Sequence, residues 1–119
     1  MLTLPSSVRV YLAAEPVDLR RGHDGLCALV LALGGHDLYA GHLYVFLGRR
    51  GDRVKILFWD RGGFVLYYKR LERGRFRMPT VPAAAREVEL DATTLAMLLD
   101  GIDVRRVARP VHWTPHRAA

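Results

Sequence analysis

The residues in this chain whose type and spacing could do chemistry are arginines and lysines gathered in one segment. Residues 49–77 contain ten Lys/Arg and three Asp/Glu, whereas the rest of the chain contains eight basic and nine acidic side chains. The net charge of +6 therefore comes from this segment. Clustered cationic groups are typical of surfaces that bind a polyanion such as nucleic acid, although a solvated basic face is the alternative. We predict phosphate contacts from the following side chains: Arg49, Arg50, Arg53, Lys55, Lys69, Arg70, Arg73, Arg75 and Arg77.

Aromatic side chains interleave with these cations. Trp59, Tyr67 and Tyr68 are candidates for stacking on bases, an interaction worth about 1–3 kcal/mol per base. Packing in the core or against a neighbouring strand is the other interpretation of each ring, and we favour it for any single one.

The carboxylates and histidines do not form a catalytic or metal-binding pattern. Two-metal DNA cleavage needs carboxylates that converge on ions about 3.5–4 Å apart. The candidates are scattered, and they fit turns and ion pairs better: Asp18, Asp24, Asp52 and Asp60. His112 and His116 have the spacing of a zinc half-site, but Pro115 interrupts any helix that would align them and the chain has no CxxC partner. We therefore predict no catalytic residues, no metal and no other cofactor.

The basic segment coincides with the clearest strand pattern. Three strand-like runs at 42–47, 53–59 and 64–71 are joined by short connections that contain Gly and Asp, residues that tolerate hairpin turns. Short connections make neighbouring strands antiparallel, so these runs predict a meander.

The flanking segments predict the remaining elements. Alternating apolar residues at 8–12 predict a first strand, and residues 87–90 a possible edge strand. A helix over 24–34 is apolar on all sides, so we expect it to be deeply buried, against a sheet or a partner. Asp91 is a good N-cap for a second helix that runs to Asp100 and is closed by Gly101.

The fold prediction is an α+β single domain over residues 1–119, with two helices packed on one face of an antiparallel meander sheet. The tail from about residue 104 contains two prolines and no periodicity, so we expect it to be loose. Cys27 is the only cysteine, which gives no sign of an oxidising compartment. No apolar run is long enough to cross a membrane and no signal-peptide pattern opens the chain, so we expect a cytoplasmic location and no membrane partner.

Two stretches resemble a known family. PVDLRRGHDGLCALV (16–30) and GHLYVFLGRRGDRVKILFWDRGGFVLYYKRLERGRFRMP (41–79) are similar to the TnpB-type accessory protein encoded by the second open reading frame of insertion-sequence-66 elements. The matching positions are Asp18, Arg20, Arg21, Asp24, Gly25, Leu26, Phe46, Arg49, Arg50, Asp52, Lys55, Trp59, Asp60, Lys69, Arg70, Leu71, Glu72, Gly74 and Phe76. Residues 95–103 resemble the family's closing helix, while His23 and Met78 replace usual aromatic residues.

The resemblance implies a role in transposition beside a separate, larger transposase that holds the catalytic carboxylates. It leaves two hypotheses open. In the first, the basic sheet binds DNA without sequence preference, because no recognition helix is evident. In the second, the chain is an adaptor that binds the transposase without touching DNA. In that case the apolar helices would lie at the interface, and Arg20 and Arg21 would meet an acidic partner.

Overall fold

The computed structural model describes residues 4–103 as one mixed sheet with two α-helices. The predicted loose tail from about residue 104 lies outside the described residues. In chain order the elements are β1 (Val10–Ala13), α1 (His23–Leu33), a 3₁₀ turn (Leu38–Ala40), β2 (Leu43–Leu47), β3 (Arg53–Asp60), β4 (Gly63–Arg70), β5 (Glu87–Leu90) and α2 (Ala92–Leu99). Within this part of the chain, the α+β class and every predicted strand and helix are confirmed, with bounds that shift by two residues or fewer for the strands.

The sheet has the strand order β4-β3-β2-β1-β5. Strands β2, β3 and β4 pair antiparallel, so the predicted meander is confirmed. The sheet as a whole is mixed, because β1 lies parallel to β2 and antiparallel to β5. The parallel pair follows from α1, which carries the chain back across the sheet between β1 and β2.

The two helices lie on opposite faces of the sheet, so their predicted placement on one face is wrong. Alternate residues of β2 enter different cores: Val45 packs in the core that includes Leu95 and Leu98 of α2, whereas Phe46 packs with Leu26 and Val30 of α1. All five residues of β2 are buried. A continuous apolar strand of this kind needs a cover on both faces, which a single layer of helices cannot provide.

The two helices differ in how they are capped and in how much of their surface is buried. Asp91 caps α2 as predicted, since its side chain accepts a hydrogen bond from Thr94 N at 2.7 Å. Helix α1 has only Leu26 and Val30 fully buried, and Leu31 on its outer side is 60% exposed. The sheet covers only one apolar face of α1 within residues 4–103, so burial against the sheet alone is incomplete, and burial of the outer face by a partner stays a prediction.

Candidate nucleic-acid interface

The basic residues collect at one end of the sheet because two connections fold against each other there. Leu71 N donates a hydrogen bond to Asp52 O and Phe76 N donates one to Gly51 O, each at 2.7 Å. These bonds hold the segment after β4 against the β2–β3 turn, and a Cβ placed on Gly51 would lie 3.3 Å from Arg75 Cδ. We call this the basic end; it contains the turn at 48–52, the paired residues Arg53 and Arg70, and residues 71–77.

A third segment, distant in sequence, joins the basic end. Val17 N donates to Leu47 O at 2.9 Å, and a Cβ on Gly48 would lie 3.1 Å from Leu19 Cδ1. The segment before α1 is thereby held beside the β2–β3 turn. Together they form a cleft of about 400 Å³, which we call the arginine cleft, lined by Val17, Asp18, Leu19, Arg20, Gly48, Arg49, Arg50, Asp52 and Arg53.

The cleft brings together residues that are predicted to contact different partners. Arg20, like Arg21, is a predicted protein contact, whereas Arg49, Arg50 and Arg53 are predicted contacts of nucleic acid. Lys55 Nζ donates to Arg21 O at 2.9 Å, which places these two residues together as well. No local sequence pattern indicates this convergence, because it depends on the parallel pairing of β1 with β2.

Carboxylates orient part of the arginine set. Arg20 donates to both oxygens of Asp18, with its shortest contact from Nη2 at 2.8 Å, while the Arg20 side chain remains 91% exposed. The Arg20 side chain and its backbone N–H hold the pKa of the Asp18 carboxyl well below its usual range. Arg70 Nη2 lies 2.9 Å from Glu72 Oε1, and Arg53 Nε lies 3.9 Å from Asp52 Oδ1. Asp18 and Glu72 thus orient the guanidinium groups of Arg20 and Arg70, whose remaining N–H groups are available to an anion. The Arg53–Asp52 contact is an ion pair without a hydrogen bond.

Other cations at the basic end have no partner in the part of the chain that the structure describes. Exposed arginines that form no hydrogen bond or ion pair with residues 4–103 are Arg50, Arg73, Arg75 and Arg77. Arg49 is also exposed, and its positive charge helps to lower the pKa of Asp18. The basic end therefore presents a concentrated positive surface to solvent.

Lys69 is placed apart from this group. Because successive strand residues point to opposite faces, Lys69 lies on the α2 side of the sheet and Arg70 on the α1 side. Lys69 Nζ donates to Leu99 O at 2.7 Å, at the carboxyl end of α2. A cation at that position favours the helix dipole, so the contact gives Lys69 a structural use.

The three predicted stacking residues are separated by the fold. Tyr68 lies on the α1 side, is 50% exposed, and has Lys55 Nζ 5.1 Å from its ring centroid. Tyr67 faces the α2 side and lines a groove that also contains Leu95 and Leu99. Trp59 is about 20 Å along β3 from Arg53 and packs edge-to-face against Tyr39 and Phe64, with ring centroids 4.9 and 5.1 Å apart. Tyr68 is thus the ring that neighbours the cations.

The candidate carboxylates do not converge on one point, as ligands of a metal centre would. Asp18 and Asp52 both line the arginine cleft, whereas Asp60 is at the opposite end of β3. Residues 4–103 contain no group of three His, Cys, Asp or Glu side chains that could hold a metal ion. His112 and His116 lie outside the described residues.

Burial raises the pKa of the Cys27 thiol, helped by the nearby charge of Asp24. No helix within residues 4–103 has the length and apolar character needed to cross a membrane.

Comparison with known proteins gives a consistent family assignment. A family model described as "IS66 Orf2 like protein" matches residues 8–109. Two curated relatives come from Sinorhizobium fredii. "Uncharacterized protein y4jC" is 37% identical over 112 residues, covering 94% of each chain. "Uncharacterized protein y4hO" is 36% identical over 105 residues, covering 88% of this chain and 90% of the relative. No solved structure shows a significant match.

Proposed function

The chain belongs to the IS66 Orf2-like family of insertion-sequence accessory proteins, and on that premise we propose that it assists DNA transposition by binding DNA through its basic end. The observation that supports the proposal is the convergence of two chain segments distant in sequence, residues 17–20 and 48–53, on the arginine cleft. A charge run in sequence needs only to be solvated, whereas this arrangement gathers cations from separate elements around one concave surface. Such a surface fits a polyanion.

The proposed contact is with the phosphate backbone. Guanidinium groups match phosphate oxygens in a bidentate manner, and carboxylates such as Asp18 hold Arg20 in a defined orientation. Neither helix is suited to reading the major groove, since α1 is apolar and α2 packs its buried side on the sheet. Binding is therefore expected to be independent of sequence. Tyr68, beside Lys55, would add stacking on an unpaired base.

The proposed role is not catalytic. Asp18 and Asp52 are the carboxylates in the arginine cleft, and each has an arginine next to it. Such pairing favours structural carboxylates over ligands for two metal ions. Strand cleavage or joining would then be done by the element's transposase, in the cytoplasm. Cleavage of duplex DNA by the purified protein with Mg²⁺ or Mn²⁺ would contradict this part of the proposal.

The test is DNA binding as a function of salt. Duplexes with the element's end sequence and with random sequence are titrated by fluorescence anisotropy between 50 and 200 mM NaCl. If about six phosphates are engaged, log affinity falls with log salt concentration with a slope of about −5, equally for both duplexes. The double variant Arg49→Glu/Arg50→Glu should lose most of this binding. Affinity that is insensitive to salt, or unchanged in the double variant, would overturn the proposal.

A second candidate function is an adaptor that binds the transposase. It is favoured by the outer side of α1, an apolar helix, where the apolar side chain of Leu31 is 60% exposed. The two functions are distinguished by co-purification after nuclease treatment. Retention of the transposase without DNA, lost in Leu31→Glu but kept in Arg49→Glu/Arg50→Glu, would favour the adaptor.

A further inference from the structure

Strand β4 forms one edge of the sheet, and its outer backbone groups are unpaired within residues 4–103. Leu71 N donates toward β3, to Asp52 O, and residues alternate in direction along an antiparallel ladder. The odd-numbered residues of β4 therefore bond to β3. The outward N–H and C=O groups belong to the even-numbered residues Phe64, Leu66, Tyr68 and Arg70.

This edge lacks the features that normally prevent strand pairing. Natural edge strands are short, bulged, or carry charges and proline along their length. Strand β4 has eight residues in unbroken register with β3, and its charges are confined to Lys69 and Arg70 at one end. Of the six large apolar side chains exposed in the described part of the chain, three lie on β4: Val65, Tyr67 and Tyr68.

We propose that β4 pairs antiparallel with β4 of a second copy of this chain, so that two five-stranded sheets join into one. The inference does not depend on the proposed DNA binding. One register uses all four outward-facing residues: Phe64 lies opposite Arg70, Leu66 opposite Tyr68, and Tyr67 meets its own copy at the two-fold axis.

A second copy fits this edge because the strand is self-complementary in that register. The apolar residues 64–68 occupy the centre, and the cations of the two copies lie at opposite ends. Arg70 of each copy meets the aromatic ring of Phe64, an arrangement that supports a cation–π contact. Lys69 meets Val65 rather than another cation, so the positive charge of the protein does not oppose pairing at the seam.

The two-fold axis is perpendicular to the joined sheet, so both copies present the α1 face on the same side. The two Arg70 residues are then about 20 Å apart along the strands. Each copy keeps its arginine cleft, since that cleft lies on the far side of β3 from the seam. The dimer would thus offer two basic ends on one side of a continuous sheet.

The first experiment uses the register itself. In a Cys27→Ser background, Tyr67→Cys and Val65→Cys place single cysteines of similar exposure, 36% and 39% in the parent side chains, on the same face of β4. The residues at the axis have Cα atoms about 4.5 Å apart, within disulfide range, whereas two copies of residue 65 are about 13 Å apart along the strands. Mild oxidation should cross-link Tyr67→Cys at least tenfold faster than Val65→Cys. Equal rates, or no cross-link in either variant, would overturn the proposal.

The second experiment tests the backbone. Light scattering of the parent chain should give a mass that rises with concentration from 13.4 kDa to twice that value. Tyr68→Pro removes an outward N–H and should stay monomeric, while the matched variant Tyr68→Ala removes the same side chain, keeps the N–H, and should still dimerise. A parent chain that is monomeric at every concentration, or a Tyr68→Pro variant that dimerises like Tyr68→Ala, would contradict the pairing. Should Tyr68→Pro fail to fold by circular dichroism, the cysteine pair decides the question.

Discussion

The two ends of the sheet are built on the same strands and do opposite things with their side chains. At the basic end, Arg53 and Arg70 face each other across β3 and β4, and their neighbours are further exposed cations. At the other end, which we call the aromatic end, the same two strands pair Trp59 with Phe64. Rings pack there in two clusters, Tyr39–Trp59–Phe64 and Tyr11–His36–His42–Tyr44.

A segment rich in both charged and aromatic residues thus forms two separate surfaces once it folds. A hairpin brings the start of one strand to the end of the next, so cations at the two outer limits of the segment meet while the rings in its middle collect at the turn. The rings of the aromatic end pack against one another, whereas Arg50, Arg73, Arg75 and Arg77 of the basic end remain exposed to solvent. Variants that exchange these roles test the comparison directly.

Replacing the rings should separate stability from binding most clearly. Trp59→Ala removes two edge-to-face contacts and should lower the free energy of unfolding by about 2 kcal/mol, with DNA affinity of the folded protein retained. Tyr68→Ala should change stability by less than about 0.5 kcal/mol and weaken single-stranded DNA binding by about 1–2 kcal/mol. Urea unfolding and anisotropy at fixed salt measure the two quantities. A Trp59→Ala protein that is folded but no longer binds DNA would contradict the separation of stability from binding between the two ends.

Reversing one charge at each end gives a matched pair. Arg50→Glu lies in the turn at the basic end and Arg61→Glu in the turn at the aromatic end; both side chains are exposed and both changes alter the charge equally. Arg50→Glu should weaken duplex binding about tenfold and reduce the salt slope by about 1, whereas Arg61→Glu should change affinity by less than about threefold. Equal losses would mean that only net charge matters, and the basic end would have no special role.

The neighbours Lys69 and Arg70 lie on opposite faces of the sheet, so we expect them to have different roles. Lys69→Met loses the bond to Leu99 O and should lower the free energy of unfolding by about 1 kcal/mol while leaving DNA affinity unchanged. Arg70→Met should do the reverse, because the pair of Arg70 with Glu72 is exposed and contributes little to stability. Chemical denaturation and anisotropy on both variants test this. An equal loss of DNA affinity in the two variants would show that Lys69 also contacts DNA.

Much of this arrangement could be predicted from the sequence, and the failures concern contacts between elements that are distant in the chain. The meander and the Asp91 cap follow from local patterns, namely period-two alternation, glycine turns and a capping carboxylate. The run LYVFL in β2 did carry a signal for helices on both faces, because no alternation of polar residues marks a solvent side. The position of Arg20 beside Arg49 had no local signal, since it depends on β1 pairing parallel to β2 across the helix between them.

The smallest effect concerns a hydroxyl at the aromatic end. Tyr44 is buried and its Oη has no hydrogen-bond partner in the described part of the chain. Burial, together with the nearby charges of Tyr11, Glu87 and Asp37, raises the pKa of Tyr44 to about 12. The folded state therefore keeps a proton that the unfolded chain loses near pH 10, so this group's contribution to stability is complete below pH 10 and is lost as pH rises toward 12.

Tyr44→Phe removes both the unpaired hydroxyl and this titration. We expect the variant to be as stable as the parent or more stable by up to about 1 kcal/mol at pH 7, because no hydrogen bond is lost. Its advantage should grow above pH 10, measured as the difference in melting temperature between the two proteins from pH 8 to pH 11. An advantage that stays constant over that range, or a variant that is less stable at pH 7, would show that the hydroxyl is satisfied in solution and that the aromatic end also holds a polar contact.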